Sequence, residues 1–479
     1  MNERLVPSDE RQSSDASPLA QGDYCGATMS TCATCGRLIP ARIHARADGV
    51  WFHKHCPEHG PQAARVYGDA EAYRRLGQFH RQASMPLAFD QEYRGCPDSC
   101  GLCPEHEQHV CLPILEITDH CDLDCPICLV RNPATRHLTR DDVARILDGL
   151  IRTEGQIDVL NLSGGEPTTN PHLREIVAEC VSRREIVRVS VSTNGLRLSH
   201  DEDLLRFLAE RRVILSLQFD GLDDAIYRAL RGRPLIESKL RLIEQCARLD
   251  TAMSLTATVV SGVNGGQLAD IAALLFQHDH VISVMFQPAA YAGNAAHLPR
   301  PENAMTIPDV IAALRGAAHG MVAPEDFSPL PCSHPACFSL AFYLKVEPGH
   351  FQPIKQMVNA ERFLDLIQNR ALFGMDEQSF RHITDAVYEL WSGPAALSPD
   401  SQKALNAVKR LLNAVTAGGG YQAGQAWAVA ERSVKSIFIH QFMDRDTFDL
   451  SRARKCCQVY PQPDGRLIPA CVYNCLKRP

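Results

Sequence analysis

Residues 114–132 read ILEITDHCDLDCPICLVRN. The apolar, β-branched start predicts a strand, and three cysteines, Cys121, Cys125 and Cys128, follow at x3 and x2 spacing on the loop that leaves it. Three thiolates so placed can ligate three irons of a [4Fe-4S] cluster and leave the fourth iron without a protein ligand. The competing reading is a structural zinc site, which calls for a fourth nearby ligand, and His120 is the only close candidate. This strand opens a series. PILEIT (113–118), IDVLNLS (157–163), VRVSVS (187–192), VILSLQ (213–218), SLTATVV (254–260) and VISVMF (281–286) read as strands, and helix patterns such as RDDVARILDGLIR and DEDLLRFLAERR lie between them. Six βα units in succession imply a parallel sheet, open or wound into a partial barrel, with ligands at the C-terminal ends of its strands. The cysteine loop falls on that edge. So does Ser163-Gly164-Gly165-Glu166-Pro167, where two glycines permit close backbone approach and a carboxylate suits an ammonium group; a generic turn is the alternative.

The rest of the chain narrows the class. Its 479 residues are 45% apolar, enough for a large core, and Lys+Arg 49 against Asp+Glu 56 leaves a net charge of −7. No global positive field favours nucleic acid or an anionic membrane. No apolar run approaches the roughly 18 residues of a membrane span, and the polar N-terminus lacks an apolar core, so a cytoplasmic protein with reduced thiols is expected. There are 19 cysteines, and they cluster, which in a reducing compartment points to metal. Cys180 and Cys246 lie in helix patterns and read as core residues. Residues 1–24 read as a disordered tail. The stretch 25–65 is a small module with a hairpin turning at Asp48-Gly49; Cys32, Cys35 and Cys56 would hold a metal there, with His59 the first choice of fourth ligand and Cys25 the second. Beyond the barrel segment 113–300, residues 301–350 connect to a helical insert at 351–420 that ends at Gly418-Gly419-Gly420, and 421–479 begins with a β-like run, SIFIHQF.

CDLDCPIC followed about 35 residues later by SGGEP resembles the radical S-adenosylmethionine (SAM) superfamily. The resemblance implies an α/β fold built on a partial (β/α)6 barrel, a cluster held by Cys121, Cys125 and Cys128, and a Gly164-Gly165-Glu166-Pro167 segment that receives the SAM amino group. Ser192 and Asn194 after the third strand, and Gln218 and Asp220 after the fourth, would contact SAM or substrate. The CATCG…CPEHG knuckles, the block GCPDSCGLCPEHEQHVCL, the PCSHPAC segment and the stretch KCCQVYPQPDGRLIPACVYN together resemble the class D radical SAM methylases and their relatives, which include a tetraether lipid synthase. That subgroup implies an N-terminal rubredoxin-like metal knot with one mononuclear Fe or Zn, and auxiliary [4Fe-4S] clusters. In the segment 90–112, Cys96, Cys100, Cys103 and Cys111 would hold one. Cys332, Cys337, Cys471 and one of Cys456 or Cys457 would hold a second in the C-terminal auxiliary-cluster region.

On this reading the protein is a biosynthetic transferase. A reductant such as flavodoxin or ferredoxin would feed the auxiliary clusters, SAM would be cleaved reductively, and a fragment would be used for group transfer or bond formation to carbon or a heteroatom. Three substrates stay open: a lipid, a pterin, and arsenite. The last, which would receive the 3-amino-3-carboxypropyl group of SAM as in arsinothricin-type organoarsenical biosynthesis, is suggested by the thiols left over, Cys475 and one of Cys456 and Cys457, and by the resemblance to radical SAM proteins that build carbon–arsenic bonds. For the pterin, the sequence locates neither stacking faces nor polar contacts. The alternative from another class is a non-catalytic zinc or electron-transfer protein.

Overall fold

The computed structural model describes residues 22–89, 95–98, 100–357, 360–369, 399–416 and 431–478. Its first unit is an antiparallel four-stranded sheet, β1 (Asp23–Thr31), β2 (Leu38–Arg46), β3 (Gly49–Cys56) and β4 (Gly60–Tyr67), in that order. Alternate residues of β2 turn inward, so Ile39, Ala41, Ile43 and Ala45 are buried while their neighbours face out. Two features differ from expectation. The first strand begins at Asp23, inside the stretch read as tail. The hairpin turns at Ala47-Asp48, one residue earlier than Asp48-Gly49, because Gly49 is already paired with Arg46. Gly49 is fixed there by a φ of +129° and by the Tyr67 carbonyl, which would lie 2.4 Å from a Cβ.

The second unit carries the six expected strands: β5 (Leu112–Thr118), β6 (Ile157–Gly164), β7 (Ile186–Thr193), β8 (Ile214–Gln218), β9 (Met253–Val259) and β10 (Val281–Pro288). All are parallel, each paired to the next. The helices α2 (Arg140–Glu154), α3 (Leu173–Ser182), α4 (Glu202–Glu210), α5 (Asp224–Arg231), α6 (Ile236–Arg248) and α7 (Leu268–Gln277) connect them, after a short α1 (Ala70–Arg75). In α2 a Thr139/Asp142 capping box fixes the start, and Val143, Ile146, Leu147 and Leu150 form the buried stripe. Cys180 and Cys246 are both fully buried in this core.

What the sequence did not reveal is how residues beyond 300 extend the sheet. β14 (Val434–His440) pairs in parallel with β10 and antiparallel with β12 (Phe338–Glu347), while β15 (Gln458–Pro461) pairs in parallel with β5. Short β11 (Ser328–Pro329), β13 (His350–Pro353) and β16 (Leu467–Pro469) complete the two edges. Among the described residues no pairing joins those edges, so the sheet curves without closing. Of the helical insert, Ala360–Ile367 and Pro399–Thr416 bury Phe363, Leu364, Ile367, Leu405 and Val408 in one core with Leu340, Phe342 and Leu344 of β12; the Gly418–Gly420 breaker lies outside the described residues.

The N-terminal sheet is keyed to the segment after β14. Lys54, 5% exposed, donates to the carbonyls of Thr31 (2.7 Å), Asp446 (2.7 Å) and Arg445 (3.2 Å), and Thr28 Oγ1 donates to Asp449 Oδ1 at 2.6 Å. The same region is locked onto β5 by Arg478, which donates to Glu116 Oε1 at 2.8 Å and lies over the Tyr473 and Tyr460 rings.

Candidate functional site

Cys121, Cys125 and Cys128 leave the C-terminal end of β5 on a loop pinned from β6. Gly165 N donates to Thr118 O at 2.9 Å and Glu166 N to His120 O at 2.7 Å. The approach admits no side chain: a Cβ on Gly165 would lie 2.2 Å from His120 O, and one on Gly164 2.0 Å from Thr118 O. The two glycines therefore set the distance between the SGGEP segment and the cysteine loop. Burial pushes the Cys121 thiol up to about 12 and raises Cys125 against the opposing charge of Arg231. Such thiols become thiolates when a metal charge compensates them.

The Glu166 carboxylate is 1% exposed and fully engaged. Oε1 accepts from Thr168 N (3.1 Å), Thr168 Oγ1 (2.8 Å) and Thr193 Oγ1 (2.8 Å), and Oε2 from Asn194 N at 2.7 Å. It braces the Ser192–Gly195 turn and lines the space beside the three cysteines. Pro167 opens the short turn that follows. Asn194 reaches across to the cysteine loop, donating to Asp122 Oδ1 at 2.5 Å, and Ser192 donates to Asn161 Oδ1 at 3.1 Å.

Asp220 is likewise internal. Fully buried, it takes two hydrogen bonds from Arg231 (2.7 and 3.0 Å) and one from Thr258 N at 2.9 Å. Gln218 lies against it and accepts from Lys239 Nζ at 2.7 Å; Lys239 also donates to Asn194 O at a short distance. Burial lowers Lys239 to about 7. Sequence reasoning passed over Arg231 and Lys239, although both stand on buried helix stripes, Tyr227-Leu230-Arg231 in α5 and Lys239-Leu242-Ile243-Cys246 in α6. A charge in an apolar stripe was the available signal.

Gln218 and Arg231, but not Asp220 or Lys239, line one cavity of about 410 Å³ on the inside of the sheet. Its upper end holds the three cysteines, Gly165, Glu166, Asn194, Gln218 and Arg231. Strands β6 to β10 supply Asn161, Ser163, Ser190, Ser192, Ser216, Ser254, Thr256 and Ser283, and the opposite wall is Phe338, Phe342, Phe438, Phe442 and Tyr460. The hydroxyls are paired, Ser283 with Ser254 at 2.7 Å and Ser216 with Thr256 at 3.1 Å, yet each retains a free lone pair. Small inward residues leave the lumen open where larger ones would fill it.

Residues 115–275 match the model of the Radical SAM superfamily. Their fold is the radical SAM α/β fold. Residues 24–68 match the HMPTM N-terminal zinc ribbon domain. Over nearly its whole length the chain is similar to the 7,8-dihydro-6-hydroxymethylpterin dimethyltransferase of Methanocaldococcus jannaschii, 27% identical over 482 residues and 94% of each chain. It is also similar to the mycofactocin maturase MftC of Mycobacterium ulcerans (33% over 163 residues; 33% of this chain, 42% of the other) and to the GTP 3',8-cyclase of Synechococcus elongatus (28% over 193 residues; 39% and 57%). The chain thus spans about half the length of these last two. Among solved structures, SuiB of Streptococcus suis has a TM-score of 0.38 at 12% identity, covering 57% of this chain and 66% of that one.

Outside residues 115–275 the ribbon thiols gather as expected, and the other thiols fall into groups that differ from those expected. In the ribbon, the ligand atoms of Cys32, Cys35, Cys56 and His59 lie within 4.8 Å of one another, while Cys25 is exposed. No other group of three such ligands among the described residues is that compact. Thiolates on one tetrahedral zinc lie about 3.8 Å apart, so the ribbon suits a single ion, and the wider Cys121/Cys125/Cys128 set suits a polynuclear cluster. Cys96, Cys100 and Cys103 sit together. Cys111 does not join them: its thiol faces Cys332 and Cys457. Cys337 separates from Cys332, accepts from Arg452 Nε at 3.1 Å and faces Cys471 and Cys456. Cys475 is 3% exposed beside Cys471, donating to Met443 O at 3.2 Å, and is no surface thiol. Spacing failed for Cys111 and Cys337 because their partners lie more than a hundred residues away along the chain.

Proposed function

We propose that this chain is a radical SAM transferase that carries a SAM-derived group onto a pterin-like heterocycle held in the lumen of the sheet. The observation that supports it most is the cavity itself, in which the three cysteines share one space with aromatic faces for stacking and a ladder of neutral hydroxyls for ring nitrogens and oxygens. The full-length similarity to the pterin dimethyltransferase agrees with that. The thiol spacing and burial fit a [4Fe-4S] cluster, which when bound with SAM supplies one-electron cleavage of a SAM C–S bond.

The chain's own groups do the positioning. Glu166 fixes the turn that carries Asn194, and Asn194 holds the cysteine loop through Asp122. The Asp220–Arg231 pair places a guanidinium beside Cys125, where it offsets thiolate charge. Lys239 ties the Asn194 backbone to Gln218. The walls keep water from the reacting centre and hold the substrate ring edge-on to the hydroxyls.

The other substrates find less support. A lipid chain would cover hydroxyls on five strands and leave them without water. Arsenite would need Cys475 beside SAM, and Cys475 is absent from the cavity lining. The test is anaerobic turnover with SAM, dithionite and 7,8-dihydro-6-hydroxymethylpterin, followed by mass spectrometry. A pterin product heavier by one or two methyl groups is expected. An unmodified pterin, with methylthioadenosine accumulating only when arsenite is added, would overturn the pterin reading in favour of aminocarboxypropyl transfer.

A further inference from the structure

Cys111, Cys332 and Cys457 converge at the end of β5 opposite the Cys121–Cys128 loop. Cys111 and Cys457 are neighbours through the backbone, since the Cys457 carbonyl accepts from Cys111 N (2.9 Å) and Leu112 N (3.1 Å). Cys332 is fully buried, and its sulfur accepts from Asn369 N at 3.0 Å. All three belong to one buried cluster, and Cys111 and Cys457 also line the far end of the lumen. Their spread exceeds that of ligands to a single ion.

Three thiols leave a fourth position to be filled. Cys337, whose charge also reaches Cys457, is held instead by Arg452. The group that does approach is His109, with Nε2 3.5 Å from Cys111 Sγ. Its other ring nitrogen, Nδ1, faces Glu154 Oε2 at 3.4 Å, and the Glu154 side chain is 2% exposed at the end of α2. Glu154 Oε2 is itself fixed by Val110 N at 3.1 Å, and the His109 backbone by Ser84 O at 2.9 Å. A buried carboxylate behind an imidazole whose far nitrogen points at a thiol is the arrangement by which proteins orient a ligating histidine and set its tautomer.

We propose that Cys111, Cys332, Cys457 and His109 hold an iron–sulfur cluster with one imidazole ligand, oriented by Glu154. Exchanging a thiolate for a neutral imidazole removes one negative charge from the cluster, so it accepts an electron more readily than an all-cysteine cluster would. β5 separates the two thiol sites by about 23 Å at 3.3 Å per residue, which makes this a station for electrons rather than a second seat for SAM. The inference does not depend on which substrate the lumen takes.

The test uses full-length, SAM-free protein carrying C121A/C125A/C128A, reconstituted anaerobically and reduced with dithionite, so that the open cluster is silent. Pulsed EPR should show a strongly coupled nitrogen that changes isotope when the protein is grown on 15N-histidine. H109A should abolish that coupling. H109C should keep the irons, lose the nitrogen and lower the midpoint potential, which a merely structural histidine would not do. C111A/C332A/C457A should lose about four irons. E154Q should keep the irons and alter the nitrogen coupling. The proposal is overturned if the background protein has no strongly coupled nitrogen, if the nitrogen survives in H109A or H109C, or if removing the three cysteines leaves the iron count unchanged.

Discussion

Replacing Gly165 by alanine should separate loop placement from every other effect at the cysteine site. The residue needs no unusual backbone, because its φ is not among the positive ones. What forbids a side chain is the His120 carbonyl, 2.2 Å from the position a Cβ would take, where contacts under 3.0 Å essentially never occur. The carbonyl must retreat by at least ~0.8 Å to restore that limit. It would take with it the 2.7 Å hydrogen bond from Glu166 N and the 3.3 Å bond from Thr169 Oγ1. Losing one or two such bonds costs about 1–3 kcal/mol. His120 is bonded directly to Cys121, so nearly the full displacement reaches the first thiolate, and a misplacement of about 1 Å at a reacting centre costs on the order of 100-fold in rate. The assay is single-turnover SAM cleavage under anaerobic conditions, with iron content and urea unfolding measured on the same sample. Gly266, which has nothing within 4 Å of its Cβ position, supplies the control. If G165A cleaves SAM at the wild-type rate with full iron, the close approach of SGGEP to the cysteine loop does not position the cluster.

Other expectations follow from the buried charges. D220A strands Arg231 in the interior and should cost about 3–5 kcal/mol in urea unfolding, whereas D220L combined with R231M should recover most of that loss. Lys239 is lowered to about 7 in the folded chain, against 10.5 when exposed. Below pH 7 it is charged in both states and its burial penalty is complete; above 7 only the unfolded state keeps the proton, so stability should rise from pH 7 to 8.5, and K239M should remove that slope. K54M leaves the carbonyls of Thr31, Arg445 and Asp446 without their donor, and limited proteolysis should then cut between ribbon and domain sooner than in wild type. In the ribbon, C56S should lose one zinc per chain without changing the iron count, as measured by elemental analysis.

The sequence announced the six barrel strands to within two residues, since buried parallel strands are continuous β-branched runs and their boundaries are set by Gly, Asp and Asn at the turns. It announced the cysteine loop and SGGEP for a different reason: both are local, each complete in a few consecutive residues. The internal partners of Glu166 and Asp220 were not legible, because a carboxylate's hydrogen bonds are decided by what folds against it. Cys111 was assigned with Cys96, Cys100 and Cys103 by proximity along the chain, yet β15 brings Cys457 to it across the sheet edge. The groups proposed to contact a pterin could not be located at all. Each strand contributes one or two serines, an unremarkable number until five strands face the same space.

The outermost parallel partners of the domain, β14 beside β10 and β15 beside β5, come from residues 434–461. Roughly 340 residues separate the end of β5 from the start of β15, which at ribosomal speed is on the order of 20–70 s of synthesis. Throughout that interval both rims of the nascent sheet present bare backbone, and bare rims recruit other chains. Cys457 is made equally late, so the site proposed for it is incomplete until β15 has been synthesised. Low temperature, slow translation or a chaperone that covers strand edges should each raise the yield of properly folded protein.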